Sequence, residues 1–294
     1  MADFKSYIPD NTDINVLQSL SNSGDVDATR GIAAMYYYGV GVEQNFLQAF
    51  EWLEKAANLD DAESMKVIGD MYHEGLGVEQ SFEKSFEWLE KAADNGNADA
   101  MNNLGFMYEY GQGVNQSHDK AVKWLKKSAE LGNVLAMKAV AGIYYYGAGE
   151  SQNFEKAFEW FNKAAELGDV EAIKIVGDMY HAGMGIEKNL KQAFELYEKA
   201  ASLGDVESMH NLGVMYYDEQ NFEKSFEWFT QAANNGNAES MYNLALMYAR
   251  GEGVEKNSKQ IINWLNKSAE SGNSKAIKMI QQINSKLAEG NSDE

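Results

Sequence analysis

Apolar residues recur along the chain at the spacing of amphipathic α-helices, and the two-helix pattern that they form returns every 36 residues. A first helix (helix A) carries a Met-Tyr pair. A second helix (helix B) carries a stripe such as that in NFEKAFEWFNKAAELG, which begins at Asn153. The interval shortens once, to 32 residues, between Gly204 and Gly236. We therefore predict seven repeats, with starts at Gly24, Asp60, Gly96, Gly132, Gly168, Gly204 and Gly236.

Recurring aromatic and methionine residues predict the core of each repeat. One helix A position is tyrosine throughout, at Tyr36, Tyr72, Tyr108, Tyr144, Tyr180, Tyr216 and Tyr248. Methionine precedes this core tyrosine in every repeat except the fourth, which has Ile143. In helix B, the fifth repeat has Leu196 where the others have Trp52, Trp88, Trp124, Trp160, Trp228 and Trp264. Because these side chains return at helical spacing, we interpret them as packing and not as a cofactor site.

Residues at the repeat boundaries predict where the helices begin. All boundary positions except Asp60 are glycine, which adopts the positive φ of a helix end at little cost. The next residue is always aspartate or asparagine, whose side chain can accept a hydrogen bond from a free N–H of the first turn. The predicted caps of helix A are Asp25, Asp61, Asn97, Asn133, Asp169, Asp205, Asn237 and Asn273. Those of helix B are Asn45, Ser81, Asn153, Asn189, Asn221 and Asn257.

The two ends of the chain have the pattern of half-repeats. INVLQSLSNSG, which begins at Ile14, has the pattern of an unpaired helix B, and SKAIKMIQQINSKLAEG, which begins at Ser274, that of an unpaired helix A. Terminal repeats of a solenoid need such helices to cover their exposed core. We predict one elongated domain: a cap segment over 1–23, seven repeats over 24–271, and a capping helix and tail over 272–294.

Parts of the sequence recur 108 residues apart. MYYYGVGVEQNF begins at Met35 and IYYYGAGESQNF at Ile143, while GDMYH begins at both Gly69 and Gly177. Duplication of the first three repeats as a block would give two similar binding surfaces in tandem. Helix B does not follow this phase, since FEKSFEW occurs in repeats two and six. A patchwork of duplications without functional meaning is therefore the other interpretation.

The repeat pattern resembles a known family. A-x-x-x-(L/I/V)-(G/A)-x-M-Y-x-x-G-x-G-V, followed by (A/S)-F-E-W-x-x-K-A-A-x-x-G, is similar to the SEL-one-like repeat, a longer cousin of the tetratricopeptide repeat, over nearly the whole chain. The resemblance implies an all-α fold, a right-handed α/α superhelical solenoid of about seven helix-turn-helix repeats of 36 residues, with capping half-repeats at both ends. It also implies use as a protein-interaction scaffold.

Two repeats depart from the family pattern. The sixth, MYYDEQNFEKSF, lacks Gly-x-Gly-Val, which predicts a tighter turn. The fourth has Glu150 in place of the valine. The family also has cysteine-rich secreted members, which this cysteine-free chain does not match.

In tetratricopeptide-like solenoids helix A lines the concave groove, and three positions per repeat are expected to point into it. Six residues before the core tyrosine lie Arg30, Lys66, Asn102, Lys138, Lys174, His210 and Tyr242. Two residues before it lie Ala34, Asp70, Phe106, Gly142, Asp178, Val214 and Leu246. One residue after it lie Tyr37, His73, Glu109, Tyr145, His181, Tyr217 and Ala249. We predict that a partner is bound by all residues of the first position, by Phe106 of the second, and by the polar and aromatic residues of the third.

The cations in this groove have two interpretations. A row of cations beside tyrosines suits a protein or peptide with acidic or carboxylate groups, since the rings supply stiff contact area. However, Asp27, Glu63 and Glu171 lie three residues before Arg30, Lys66 and Lys174, so intrahelical ion pairs are the alternative. Lys138 is the exception, because Leu135 stands in place of its acid.

Composition narrows the class of function. Acidic residues outnumber basic ones 45 to 25, for a formal charge of −20, which argues against direct binding of nucleic acid because phosphates are repelled. The absence of cysteine excludes disulfides and thiolate metal sites and fits a reducing compartment. Neither a signal peptide nor an apolar run of roughly 20 residues is visible, so we predict a cytoplasmic protein without membrane insertion.

The sequence shows no recognisable chemistry. It has no phosphate-binding loop with Gly-Lys-Ser/Thr, no His-Glu-x-x-His and no calcium-loop spacing, so we predict no enzyme activity, metal or cofactor. The predicted function is a non-catalytic scaffold or adaptor that binds a partner in the groove. The alternative is an inhibitor, of immunity or counter-defence type, that blocks a toxin or nucleic-acid-binding enzyme through its acidic outer surface. Only the alternative predicts a steep loss of affinity with salt.

Overall fold

The computed structural model of the chain describes residues 4–9, 13–148 and 151–290, with side chains as far as residue 285. These residues form a short 3₁₀ helix and sixteen α-helices and include no β-strand, which confirms the all-α prediction. Glu150, the predicted departure in the fourth repeat, lies outside the described residues. No helix in the described ranges has both the length and the apolar character that crossing a membrane requires.

The chain divides into two compact units, Met1–Asn153 and Phe154–Glu294. The first contains the 3₁₀ helix Phe4–Tyr7 and α1 (Ile14–Asn22), α2 (Val26–Tyr38), α3 (Phe46–Ala57), α4 (Ala62–Glu74), α5 (Phe82–Asp94), α6 (Ala98–Tyr110), α7 (His118–Glu130) and α8 (Val134–Tyr146). The second contains α9 (Phe154–Glu166), α10 (Val170–Ala182), α11 (Leu190–Ser202), α12 (Val206–Asp218), α13 (Phe222–Asn234), α14 (Ala238–Arg250), α15 (Ser258–Glu270) and α16 (Ser274–Gly290). Helix A is the even-numbered helix of each repeat from α2 to α14, helix B is the helix that follows it, and α1 and α16 are the unpaired helices at the ends.

Each helix A begins at its predicted cap. In α6, Asn97 Oδ1 accepts a hydrogen bond from the Ala100 N–H at 2.8 Å, and the equivalent bond is present in every helix A and in α16. The Asn97 Nδ2 atom also donates to Glu63 Oε2 in the preceding helix A at 3.0 Å, so this cap joins two repeats. The boundary glycines have φ of 85–93°, and Asp60, which replaces one of them, has φ of 61°.

Aromatic pairs between repeats form much of the core. Phe50 of helix B meets Tyr72 of the next helix A edge to face, with ring centroids 5.5 Å apart. The same contact recurs at Phe86–Tyr108, Phe158–Tyr180, Phe194–Tyr216 and Phe226–Tyr248. The six methionines before the core tyrosines are all buried. The repeated aromatic and methionine columns are therefore packing, as the sequence predicted.

The Gly-x-Gly turn that follows helix A covers the start of the preceding helix B. A Cβ atom on Gly253 would lie 2.1 Å from the Phe222 carbonyl oxygen, and one on Gly185 the same distance from that of Phe154, so only glycine allows this approach. The valine after the second glycine packs into the core, as Val254 does in the last repeat. The turn thus joins one repeat to the next.

The sixth repeat lacks this turn. Helix α12 ends at Asp218 and α13 begins at Phe222, so residues 219–221 replace a connection that spans 251–257 in the seventh repeat. Gln220 adopts a φ of 59° to close this shorter link. The tighter turn predicted from the sequence is confirmed.

Candidate functional site

Arg30, the first predicted groove cation, is engaged by groups of its own unit. Its Nη1 atom donates to Asp61 Oδ1 at 2.9 Å, and its Nη2 atom pairs with Asp27. The guanidinium also stacks 3.9 Å from the ring centroid of Tyr7. The Asp27 pair is the one that the intrahelical interpretation predicted, while the Asp61 pair crosses to the next repeat.

Lys66 is buried, with 6% of its surface exposed, and pairs with a residue that the sequence argument did not select. Its Nζ atom lies 2.8 Å from Asp70 Oδ2, while the Glu63 carboxylate accepts from Asn97. Burial lowers the pKa of Lys66, but the nearby Asp70 charge and hydrogen bond outweigh it, so this pKa lies above its ordinary value. Burial raises the pKa of Asp70.

In the second unit, Lys174 is held by two carboxylates. Its Nζ atom lies 2.7 Å from Glu207 Oε2 and 3.8 Å from Asp178 Oδ2. The Tyr197 hydroxyl donates to Asp178 Oδ1 at 2.7 Å, and burial raises the pKa of Asp178. A ligand carboxylate at Lys174 would therefore compete with acids of the chain itself.

The remaining residues of this first position differ in burial. Asn102 is buried, and its Oδ1 atom has no hydrogen-bond partner in the structure. Lys138 is half-buried. The His210 Nδ1 atom lies 2.8 Å from Ser240 Oγ, and burial lowers the pKa of His210. The half-buried ring of Tyr242 lies 5.9 Å from the ammonium of Lys275.

The predicted groove aromatics of the first unit pack partly within it. Tyr37 is half-buried between the rings of Phe4 and Phe46, with centroids 5.7 and 5.2 Å away. His73 meets the Phe82 ring edge to face at 5.1 Å. These two half-buried rings are therefore partly covered by packing within the unit.

The other predicted residues of the first unit are more varied. Phe106 is 38% exposed. Glu109 Oε2 lies 2.7 Å from His118 Nδ1. Tyr145 is half-buried, with its ring 5.0 Å from that of Tyr146.

Within the part of the chain that the structure describes, clefts lie between the A helices of successive repeats at three places that share a common lining. Cleft 2/3, between α4 and α6, has a volume of about 420 Å³. Cleft 5/6, between α10 and α12, and cleft 6/7, between α12 and α14, measure about 280 and 260 Å³. In each cleft, one wall is a helix B side chain and the other is a methionine and an asparagine of the second helix A. These residues are Leu89, Met107 and Asn103 in cleft 2/3, Tyr197, Met215 and Asn211 in cleft 5/6, and Phe229, Met247 and Asn243 in cleft 6/7.

Clefts 2/3 and 5/6 occupy equivalent places in the two units. The 108-residue similarity brings Asp70, His73 and Asn103 into the first and Asp178, His181 and Asn211 into the second. In both, the asparagine Nδ2 atom donates to the aspartate Oδ1 atom, at 3.1 and 3.4 Å. The two clefts differ where Tyr197 replaces Leu89 and Val214 replaces Phe106.

Cleft 6/7 has no carboxylate at the equivalent position, where Val214 stands in place of the aspartate. Leu246 forms part of its apolar wall. At its edge, the Tyr217 hydroxyl donates to Glu252 Oε2 at 2.8 Å and accepts from Arg250 Nη1 at 2.6 Å. Burial raises the pKa of Tyr217. This cleft therefore presents an apolar interior with charge only at its rim.

Several residues that line these clefts were not predicted from the sequence. The asparagines lie five residues before the core tyrosine, a helix A position outside the three expected to point into the groove. They recur at Asn103, Asn211 and Asn243, a signal visible in the repeat alignment. Arg250 and the helix B wall residues have no comparable signal, because their exposure depends on how neighbouring helices pack.

The described part of the chain contains no cluster of three or more histidine and acidic side chains placed to hold a metal ion. The structure thus brings together apolar clefts with a few polar groups at their edges. Such clefts are suited to binding apolar side chains of another molecule.

Comparisons with known proteins agree with this architecture. The Sel1 repeat family model matches residues 26–61, 62–97, 98–133, 134–169, 170–205, 206–237 and 238–273. A search of curated proteins found no match.

Two solved structures are similar over most of the chain. One is c5321, a protective antigen of uropathogenic Escherichia coli strains with an SLR fold: 29% identity, TM-score 0.81, covering 94% of this chain and 68% of that one. The other is a Sel1 repeat protein from Oxalobacter formigenes: 29% identity, TM-score 0.68, covering 95% of this chain and 84% of that one.

Proposed function

The chain belongs to the Sel1 repeat family, and from this premise we propose that it is a non-catalytic scaffold or adaptor that binds a partner protein or peptide on the helix A faces of its repeats. The fold is typical of protein-interaction scaffolds, and proteins of this family are generally non-catalytic repeat proteins. The lack of cysteine suits a reducing compartment, so we place this role in the cytoplasm.

The observation that carries the proposal is the recurrence of one kind of cleft at three places. Each cleft joins an apolar interior to an asparagine side chain, and concave apolar sites with a few polar groups are the usual form of binding site. Clefts 5/6 and 6/7 share Val214 and are neighbours, so one extended segment can place successive apolar side chains in both. His73, Phe106, His181 and Tyr217 lie at these clefts and provide contact area.

Partner carboxylates would bind at the cation positions, as the sequence suggested for Arg30, Lys66, Lys138 and Lys174. A partner must then displace carboxylates of the chain from Lys66 and Lys174. Separation is more costly at Lys66, whose side chain is buried, than at Lys174, whose partner Glu207 is exposed. We therefore assign most of the affinity to the clefts, and to the cations a preference for acidic partners.

The test is an affinity pull-down, read by mass spectrometry, from cells that make the chain. The bait is the wild type or the double variant Phe106→Ala and Leu246→Ala, which opens one cleft in each unit without removing a fully buried side chain. We expect the variant to lose the partner, with affinity for the purified partner falling about tenfold or more, as for other apolar anchors.

The matched control is Leu131→Ala, which removes an apolar side chain that is 57% exposed and lies outside the clefts. It should retain the partner, and circular dichroism should show equal helicity for all three proteins. If the double variant retains the partner as well as the wild type does, the cleft proposal is wrong. If that retained binding also fell steeply with salt, the acidic-surface inhibitor would be the better interpretation.

A further inference from the structure

The short turn of the sixth repeat leaves the first residue of the preceding helix B exposed. In other repeats the equivalent residue is partly covered by the Gly-x-Gly turn. Helix α11 begins at Leu190, the position held by Phe46, Phe82, Phe154 and Phe222 in other B helices. Those phenylalanines are all half-buried, and a Gly-x-Gly turn approaches their backbone closely. Leu190 is 47% exposed, because residues 219–221 are too few to form that turn.

A cleft of about 550 Å³ lies at this place, and we name it the turn cleft. Its apolar lining consists of Leu190, Phe194, Met215 and Tyr216. Phe194 and Tyr216 make one of the edge-to-face pairs of the core, with centroids 5.2 Å apart. The turn cleft therefore lies between the end of one helix A and the start of the preceding helix B, where the other repeats place the Gly-x-Gly-Val turn.

The other repeats show what kind of group fits between these helix ends. In the second and seventh repeats the turn places Val78 and Val254 against the core, each after a glycine that approaches a helix B backbone. A small aliphatic side chain on a glycine-containing strand therefore fits this geometry. The sixth repeat has the surface for such a group without the residue to fill it.

The polar rim of the turn cleft favours a positively charged group. Asp218 and Glu219 are exposed at the end of α12, where the helix dipole also favours a cation. Lys191 is at the rim too, but its ammonium lies 3.9 Å from Glu195 Oε1, which partly offsets its charge. The chain carries a net charge of −20, which favours approach of a basic group.

We propose that the turn cleft is a second docking site, which takes a basic segment of a partner protein that presents a small aliphatic side chain next to lysine or arginine. The aliphatic group occupies the place of the missing valine, between Leu190 and Tyr216, and the cation pairs with Asp218 or Glu219. This site goes beyond the function proposed for the helix A clefts. His181 and Met215 border both it and cleft 5/6, whereas Leu190 and Phe194 line the turn cleft and not cleft 5/6.

The test measures binding of a synthetic peptide, GKGVKK, with both ends blocked, to the full chain labelled on its leucine, valine and methionine methyl groups. We expect a shift in the NMR signals of Leu190, which lines the turn cleft and not cleft 5/6, together with Met215, which lines both. Two control peptides are GKGGKK, without the aliphatic group, and GEGVEE, with the charges reversed. Each should bind with an affinity at least about tenfold lower. Equal binding of either control peptide, or no binding of GKGVKK, would overturn the proposal.

A turn-restored variant provides the matched test on the protein side. Replacement of residues 219–221 by GEGVEKN, the turn of the seventh repeat, should fill the cleft and abolish GKGVKK binding while retaining helicity. A second variant, Asp218→Lys with Glu219→Lys, leaves the cleft open and should weaken peptide binding through charge alone. The proposal fails if the turn-restored variant binds as the wild type does. Because none of these substitutions changes a residue that lines the helix A clefts, the outcome is separate from that of the cleft proposal.

Discussion

At the scale of single residues, His118 shows how one side chain links two repeats. It begins α7, at the position where the other repeats have phenylalanine, leucine or, in the seventh, Ser258. Its Nε2 atom lies 2.9 Å from the Ala148 carbonyl oxygen, in the next turn, and its Nδ1 atom lies 2.7 Å from Glu109 Oε2. A neutral imidazole can donate from only one nitrogen, so both acceptors are satisfied only in the protonated form.

We therefore predict that His118 makes stability depend on pH. The bond to Ala148, with a further contribution from Glu109, raises the pKa of His118 above its ordinary 6.5. A raised folded-state pKa gives stability that is fully present below pH 6.5 and is lost as pH rises through the folded value. In urea titrations from pH 5 to 8, the wild type should exceed His118→Gln in unfolding free energy at low pH, with the gap closing as pH rises.

Glu109→Gln is the companion variant for this measurement. It should reduce the pH-dependent gap without removing it, because the bond to the Ala148 carbonyl, the largest single cause of the raised pKa, remains. Curves for the wild type and His118→Gln that stay parallel at all pH values would contradict the prediction.

At the scale of elements, the Gly-x-Gly turn joins one helix pair to the next. Its second glycine combines a positive φ, 67° at Gly253, with a close approach to the backbone at Phe222. The boundary glycines meet only the first demand: Gly236 has φ of 92°, and a Cβ atom there would contact nothing within 4 Å. Substitution of Gly236 therefore introduces backbone strain alone, whereas substitution of Gly253 introduces strain together with a steric clash.

We predict that Gly253→Ala destabilises the protein more than Gly236→Ala. The Gly236 variant should lower the unfolding free energy by about 1–2 kcal/mol, the usual cost of placing a residue with a Cβ in the left-handed conformation. The Gly253 variant should lower the unfolding free energy by about 1–3 kcal/mol more, because its Cβ forces the turn away from α13. Unfolding in urea, followed by circular dichroism, measures both. Equal losses would show that the turn does not hold the two repeats together.

At the scale of the whole molecule, packing is local in sequence. Within each unit the helices pack mainly against their neighbours along the chain. In such repeat proteins stability is approximately a sum over repeats and the interfaces between neighbours, so a local defect lowers protection locally. Regions can then open separately, with free energies that differ along the chain.

We predict that Gly253→Ala, made in the second unit, raises amide hydrogen exchange chiefly in α13 to α16. Exchange in α2 to α6 should stay within error of the wild type, because those helices belong to the other compact unit and pack mainly against their own neighbours along the chain. Peptide-resolved hydrogen exchange with mass spectrometry measures this. A uniform rise across both units would show that the chain unfolds as one cooperative body.

The helices and their core were predictable from the sequence because their causes are local. An asparagine such as Asn97 caps the helix that begins one residue later, and a tyrosine such as Tyr108 recurs at a fixed place in a helical period. The short turn before Phe222 was predictable for the same reason, since a missing Gly-x-Gly-Val leaves too few residues for the longer connection.

The candidate sites were only partly predictable. The helix A positions that carry Phe106, His73 and His181 were identified, and the structure places all three at clefts. The ion pairs were not fully foreseen: Asp27 pairs with Arg30 as expected, whereas Lys66 pairs with Asp70. Spacing along a helix shows which partners are within reach, but rotamers and the next repeat decide among them.

By itself, then, the sequence determined the repeat, its helix ends, its core columns and the position of the short turn, because each depends on residues close together in the chain. Only the tertiary structure decided which surfaces are open. The cleft beside Asn243 and the exposed face of Leu190 arise where helices of adjacent repeats meet, or where one turn fails to cover another helix. Such surfaces depend on the packing of side chains from separate segments, and periodicity alone does not specify that packing.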